Sequence, residues 1–159
     1  MNIRQAQPQD LDPLIALEQA SYPADEAASR SAFETRLRLA PQCFTVGLDH
    51  QDLVALVCGT RSAETSLVHE SMTSHDSAGQ SLCIHSVAVA ADRRRQGLAL
   101  CMLRDYLARA GKLPGLVQVL LICKPPLTGL YEQAGFKLVG PSAVVHGHDP
   151  WLEMCHRLG

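Results

Sequence analysis

The sequence lacks the features that mark several large classes of protein. No apolar run approaches the ~20 residues that cross a bilayer as a helix, so no membrane association is expected. The opening MNIRQAQPQD has no apolar core of a secretory signal. The 6 cysteines (Cys43, Cys58, Cys83, Cys101, Cys123 and Cys155) are scattered, with no CxxC pair. This predicts reduced, mostly buried thiols in a cytoplasmic protein. The 14 Lys and Arg are outnumbered by 16 Asp and Glu, for a net charge of −2, which argues against a general nucleic-acid binder. There is no internal repeat, low-complexity tract or linker. A length of 159 residues with 47% apolar content suits one domain, 1–159, around a single core.

The patterning that is present mixes α and β around one sheet. Ile3 to Ala6 predicts a short strand. Pro8 and Asp10 open a helix whose stripe is Leu11, Leu14, Ile15, Leu17 and Glu18, ending near Ser21-Tyr22-Pro23. Ser29 is the expected N-cap of a helix over Arg30 to Ala40, closed by Pro41, with Phe33 and Leu37 on its apolar face. Cys43 to Leu48 and Leu53 to Gly59 read as strands joined by the polar turn Asp49-His50-Gln51-Asp52. Arg61 to Gln80 reads as a long polar loop with a helical turn around Leu67 to Met72. Leu82 to Ala90 is apolar enough for a central strand. Gly97 to Arg109 is strongly helical, with Gly111 as its cap. Leu116 to Cys123 is a buried strand, broken by Pro125-Pro126. A short helix, Leu127 to Ala134, ends at Gly135, and strands follow at Phe136 to Val139 and Trp151 to Arg157.

Three places could carry chemistry. The strand, turn and helix from Val87 to Leu103 form an anion-site design: a helix N-terminus offers unpaired N–H groups and partial positive charge, which suit a phosphate or pyrophosphate. Gly97 would allow close approach, and Arg93, Arg94 and Arg95 add charge. No Gly-Lys-Ser/Thr follows and there is no Rossmann glycine triplet. A solvated basic turn that only caps a helix is the alternative. His85 starts an otherwise apolar strand, as a structural histidine or as a general base. Tyr131, ahead of Gly135, is a packed aromatic or a general acid. His69 and His75 fall in the polar loop. His146-Gly147-His148 gives two ligands without a visible third, so no metal is expected.

Together these residues resemble the GNAT superfamily of acetyl-CoA-dependent N-acetyltransferases. Arg94-Arg95-Gln96-Gly97-Leu98-Ala99 is similar to its Arg/Gln-x-x-Gly-x-Gly/Ala turn, and Leu130-Tyr131-Glu132-Gln133-Ala134-Gly135-Phe136 to its YEKxGF segment. The ordered pair is more specific than either alone. Glu70-Ser71-Met72-Thr73-Ser74-His75, Cys83-Ile84-His85-Ser86-Val87-Ala88-Val89, Leu121-Ile122-Cys123 and Gly140-Pro141-Ser142-Ala143 resemble segments of the arylalkylamine (serotonin) N-acetyltransferase branch. Tyr22-Pro23-Ala24-Asp25-Glu26-Ala27-Ala28-Ser29 looks like the substrate loop of microbial relatives.

The resemblance implies a mostly antiparallel, splayed central sheet flanked by helices, with acetyl-CoA as cosubstrate. It implies that backbone groups along Val87-Ala88-Val89 bond the pantetheine arm and that Arg94 to Ala99 hold the pyrophosphate. It makes Tyr131 the acid for the departing thiolate. His85 matches the second histidine of the branch's pair, and Cys83 replaces the first, so His85, through water, is the single candidate base. Backbone N–H groups would stabilise the oxyanion formed when an amine attacks the thioester. Tyr22, Pro23, Ile122, His146, Asp149 and Trp151 fall at or beside positions that shape the amine pocket. His146 and Asp149 replace apolar residues there, which points from serotonin-like amines towards polyamines or other small cationic amines, with amino-acid amines also open. The expected partner is a small-molecule amine, not nucleic acid or membrane; oligomeric state is open. The alternative function is a CoA-binding sensor or partner protein in which His85 and Tyr131 are idle.

Overall fold

The computed structural model describes residues 1–159. Seven strands form one sheet: β1 (Asn2–Gln5), β2 (Phe44–Asp49), β3 (Asp52–Ser62), β4 (Ser81–Val89), β5 (Gln118–Cys123), β6 (Lys137–Pro141) and β7 (Leu152–Arg157), in the order β1-β2-β3-β4-β5-β7-β6. Four α-helices flank it: α1 (Leu11–Ser21), α2 (Arg30–Leu39), α3 (Leu98–Ala110) and α4 (Thr128–Ala134). Every neighbouring pair is antiparallel except β4 and β5. No helix is long and apolar enough to cross a membrane.

Strand alternation divides the core between the two faces. Ala55 and Val57 face the cluster that takes Met102, Leu103, Tyr106 and Leu107 from α3 with Tyr131 and Phe136. Leu56 and Cys58 face the opposite cluster, which takes Leu14, Ile15 and Leu17 from α1 and Phe33 from α2. Local signals fix the helix ends. Ser29 Oγ accepts the Ala32 N–H at 3.1 Å to start α2. Asp10 accepts the Gln7 N–H at 2.8 Å and pairs with both terminal nitrogens of Arg4, tying the start of α1 to β1. α1 stops at Tyr22, where Pro23 follows. Cys43, Cys58, Cys83 and Cys123 are buried, Cys155 is half-buried, Cys101 is exposed, and none is paired.

The largest departure from the sequence reading is β3, which continues through Gly59 to Ser62. Gly59 marks a close approach rather than a break. A Cβ there would stand 2.6 Å from both the Cys83 carbonyl oxygen and the Tyr106 hydroxyl. The loop is shortened to begin after Ser62, and its single turn of helix is 3₁₀, at His69–Met72. At Gly59 the β3–β4 register also slips. Cys58 pairs Ser86 and Gly59 pairs Ile84, so His85 is the extra, bulged residue of β4. Bulges re-aim a side chain beside a site.

β4 parts from β5 where the site lies. Their parallel pairing runs only from Ser81↔Gln118 to Ile84↔Leu121, while β5 continues to Cys123 against β7. The expected splayed sheet is therefore present, with the β4 edge beyond Ile84 free of a neighbouring strand.

Gly59→Ala is expected to destabilise the fold by about 1–3 kcal/mol, the cost of overpacking a filled position. Comparison of urea unfolding midpoints checks this; an unchanged midpoint contradicts the close approach.

Candidate active site

The free edge of β4 is occupied by a side chain from the other end of the site. The Tyr22 hydroxyl donates to the Val87 carbonyl at 2.8 Å and accepts the Val87 N–H at 3.1 Å. A strand edge with no partner strand needs such bonds. Burial pushes the Tyr22 hydroxyl pKa up, so it stays a donor at ordinary pH. Further along, Arg94 Nε donates to the Val89 carbonyl at 3.1 Å. The pantetheine-binding positions implied by resemblance, Val87 and Val89, thus lie on an edge that an extended ligand could pair with. The Ala88 side chain instead packs in the core beneath α1 and α2.

His85 is held by a two-step bond. The Thr60 hydroxyl donates to the Ser71 carbonyl at 2.8 Å, and His85 Nε2 lies 2.7 Å from the same Thr60 oxygen. One hydroxyl has one proton to give, so His85 Nε2 is the donor of the second bond. The neutral ring then carries its lone pair on Nδ1. Burial, followed by the nearby positive charge of Arg36, holds the His85 pKa well below 6.5, which keeps the ring neutral at pH 7. Cys83 is no partner to it: its thiol lies in a separate cluster with Leu67, Leu120 and Val144, and burial raises its pKa to about 12.

His85 lines two spaces. The first is a narrow cavity of about 50 Å³, which it lines with Tyr22, Ile122, Tyr131, His146 and Trp151 among others. Five of those named from the sequence for base, acid or acceptor roles therefore meet His85 there. Tyr131 comes from α4, whose end is set by Gly135 at φ 106. Burial raises the pKa of its hydroxyl far above the usual tyrosine range. The second space is a cleft of about 290 Å³ on the α1–α2 side, bordered by Glu18, Arg36, His85 and Ser86.

Pro23 and Asp149 line neither space. Pro23 starts a turn, its carbonyl accepting from Glu26 and Ala27 at 2.9 Å. The Asp149 carboxylate is taken by Lys124 at 3.1 Å, and the same ammonium holds Glu26 at 2.7 Å. Asp149 thus belongs to the roof. So does the His146 ring, whose Nε2 lies 2.9 Å from the Glu26 carbonyl, while Trp151 Nε1 donates to the His146 carbonyl at 2.6 Å.

The arginine turn builds the outer end. Arg95 at φ 62 and Gly97 at φ 76 are both left-handed, and Gly97 is the N-cap of α3. A groove of about 250 Å³ is lined by Val89, Arg94, Arg95, Gly97, Leu98 and Ala99, with Leu130 and Gln133 opposite. A Cβ on Gly97 would meet nothing within 4 Å, so the backbone is open to a ligand. Arg93 is paired with Asp49, leaving Arg94 and Arg95 as the cations without an acidic partner. The 13-residue α3 supplies unpaired N–H groups at the same place. These features fit the pyrophosphate of CoA. Gln96 is exposed and does not line the groove.

Thr60, Glu18 and Arg36 are site residues that the sequence reading did not assign. Thr60 falls one residue beyond the strand end placed at Gly59. Glu18 and Arg36 stand on helical faces otherwise lined by apolar residues, Leu14 and Phe33 among them, and that misplacement of charge was the available signal.

The chain is 32% identical over 125 residues to serotonin N-acetyltransferase of Mesocricetus auratus, a match that covers 76% of this chain and 60% of that protein. Its fold superposes at a TM-score of 0.90 on the GphF GNAT-like decarboxylase in complex with isobutyryl-CoA, at 23% identity over 100% of both chains. It superposes at 0.88 on the loading GNATL domain of CurA from Lyngbya majuscula, at 15% identity over 98% of this chain and 96% of that one. The chain spans about 60% of the length of the curated relative. Residues 11–136 match the Acetyltransferase (GNAT) family, and with the splayed β4 edge and the Gly97-capped helix in place, the chain belongs to that family.

Proposed function

We propose that the chain transfers an acetyl group from acetyl-CoA to the primary amine of a small molecule, by direct attack with both substrates bound. The observation that carries this reading is the continuity of one strand. β4 runs from the neutral His85, past the Val87 and Val89 edge that no neighbouring strand pairs, to the α3 groove that suits a pyrophosphate. Acetyl-CoA supplies the activated acetyl group and the thiolate leaving group. Arg94, Arg95 and the α3 N-terminus hold its phosphates, and the Val87 and Val89 edge aligns its arm once Tyr22 withdraws. His85 Nδ1 takes the proton from the ammonium, directly or through water. Its Nε2–H stays on Thr60, which fixes the ring. Backbone N–H groups of the β4 edge stabilise the negative charge that develops on the acyl oxygen. Tyr131 gives its proton to the departing sulfur, and its raised pKa keeps that proton available. Holding both substrates in one cleft removes much of the entropic barrier.

The acceptor is an arylalkylamine or a polyamine in the first instance. The apolar lining from Ile122 and Trp151 supports an aryl group. Lys124 neutralises much of the acidity that Glu26 and Asp149 bring to the roof, which weakens the case for a polyamine. A second reading, removal of a carboxyl group from an acyl-CoA, is favoured by the buried Arg36 beside His85, which could hold a carboxylate. Carbon dioxide release from malonyl-CoA without an amine tests it. A free-thiol release assay with acetyl-CoA and a panel of amines tests the main reading; acetyl-CoA binding without acceptor-dependent release would identify a sensor instead.

His85→Gln retains a donor for Thr60 but loses the base, and is expected to lower kcat by about 10²- to 10⁴-fold. The wild-type kcat is expected to stay level as pH falls from 7 through 6.5. It declines only in the more acidic range where the depressed His85 pKa lies, and that acid limb disappears in the variant. An unchanged limb removes His85 from the base role. Tyr131→Phe is expected to lower kcat by roughly 10²-fold with little change in acetyl-CoA affinity; full turnover would end the acid assignment. Tyr22→Phe frees the Val87 backbone, and each bond no longer displaced is worth about 1 kcal/mol. With two such bonds, acetyl-CoA is therefore expected to bind roughly 30-fold more tightly by calorimetry; weaker or equal binding would show that the arm does not compete with Tyr22.

A further inference from the structure

The cleft on the α1–α2 side of His85 contains two buried ionic groups with unused valence. Glu18 is 1% exposed and Arg36 is 6% exposed. Glu18 Oε2 is satisfied, accepting the Ala28 N–H at 2.8 Å and the Ser86 hydroxyl at 3.1 Å. Its Oε1 has no partner. Arg36 Nη2 donates to the Met72 carbonyl at 3.0 Å, while its Nη1 has no hydrogen-bond acceptor. Burial raises the Glu18 pKa, and the bonds from Ala28 and Ser86 and the nearby charge of Arg36 offset that rise only in part; no ion pair joins Glu18 to Arg36. The buried Cys58 thiol lies close enough to Arg36 to feel its charge, but a thiol is a poor acceptor.

Both side chains border the same cleft as His85. An orphaned carboxylate oxygen and an orphaned guanidinium nitrogen are each costly when buried. A single ligand with opposite charges at its two ends would satisfy both. We propose, building on the acetyltransferase reading, that the acceptor is a zwitterion, an amine that also carries a carboxylate, with its ammonium on Glu18 beside His85 and its carboxylate on Arg36. Glu18 attracts the ammonium, and the neutral His85 removes its proton before attack. Arg36 selects for the carboxylate and sets which amine faces the acyl group. The carboxylate of a β-carboxyacyl-CoA could also reach Arg36, but it would leave the Glu18 oxygen without a partner.

Matched acceptors separate these cases: phenylalanine against phenethylamine, tryptophan against tryptamine, and ornithine against putrescine, each with acetyl-CoA and read by thiol release and by mass of the product. In the wild type, kcat/KM for at least one carboxylated member is expected to exceed that of its partner by about 10-fold or more, as a charge-assisted hydrogen bond allows. Arg36→Gln is expected to abolish that ratio, and Arg36→Lys to restore part of it. The ratio is taken within one protein preparation, so a smaller folded fraction cancels. Equal or better use of the partners lacking a carboxylate, with transfer still running, overturns the zwitterion and leaves the acetyltransferase reading standing. Thiol release with no acceptor of either kind overturns both. Carbon dioxide release from malonyl-CoA without amine transfer assigns the Arg36 carboxylate to the acyl group and overturns the proposal.

Discussion

Where a strand leaves its neighbour inside a folded protein, its N–H and C=O groups must find other partners. β4 and β5 part after Ile84↔Leu121 because β5 stays with β7 to Cys123 while β4 follows β3. The parting exposes the backbone of Val87 and Val89 within a cleft. A side chain satisfies one position and a motif residue the other: Tyr22 bridges both groups of Val87, and Arg94 caps the carbonyl of Val89. The need for these bonds links the C-cap of α1, Tyr22, to the turn before α3 that begins the groove at Gly97. In the proposed reaction the arm of acetyl-CoA meets the same need, so the cleft is a strand position waiting for a ligand.

The electrostatics of His85 follow from one register slip. Because His85 is the bulged residue opposite the Cys58–Gly59 step, Thr60 is free to meet its ring, and Ser71 fixes the direction of that bond. Burial and Arg36 then keep the ring neutral. A neutral base is an advantage when the substrate arrives as a cation, since there is no charge repulsion at the point of contact. The same arrangement has an acid cost to stability. The unfolded chain binds a proton on this histidine near pH 6.5 and the folded one resists it, so folding weakens as pH falls below that value towards the lower folded pKa.

Much of this was legible in the sequence, and the failures have physical causes. Hydrophobic period and the Pro and Gly breaks mark the strands and helices, and motif marks the Gly97 turn and Tyr131. Glycine commonly marks a break and so suggests an end of β3 at Gly59, whereas the approach of Cys83 and Tyr106 requires that glycine within the strand. The expected end hides Thr60. Glu18 and Arg36 follow helical spacing but contradict polarity, because they border a cleft on the buried face and bond Ala28, Ser86 and Met72 there. Asp149 falls beside the acceptor pocket by resemblance, but the β5–β7 pairing brings it to Lys124, just past the end of β5, which takes its carboxylate. The occupation of Val87 by Tyr22 could not be read at all, since it joins residues 65 positions apart.

The competition at Val87 is tested most directly by a crystal structure of the chain with acetyl-CoA bound. The account predicts that the pantetheine arm pairs with the N–H and C=O of Val87, that the Tyr22 hydroxyl has moved off them, and that the pyrophosphate rests at Gly97 against Arg94. A complex in which Tyr22 still bridges Val87 while CoA lies elsewhere would contradict it.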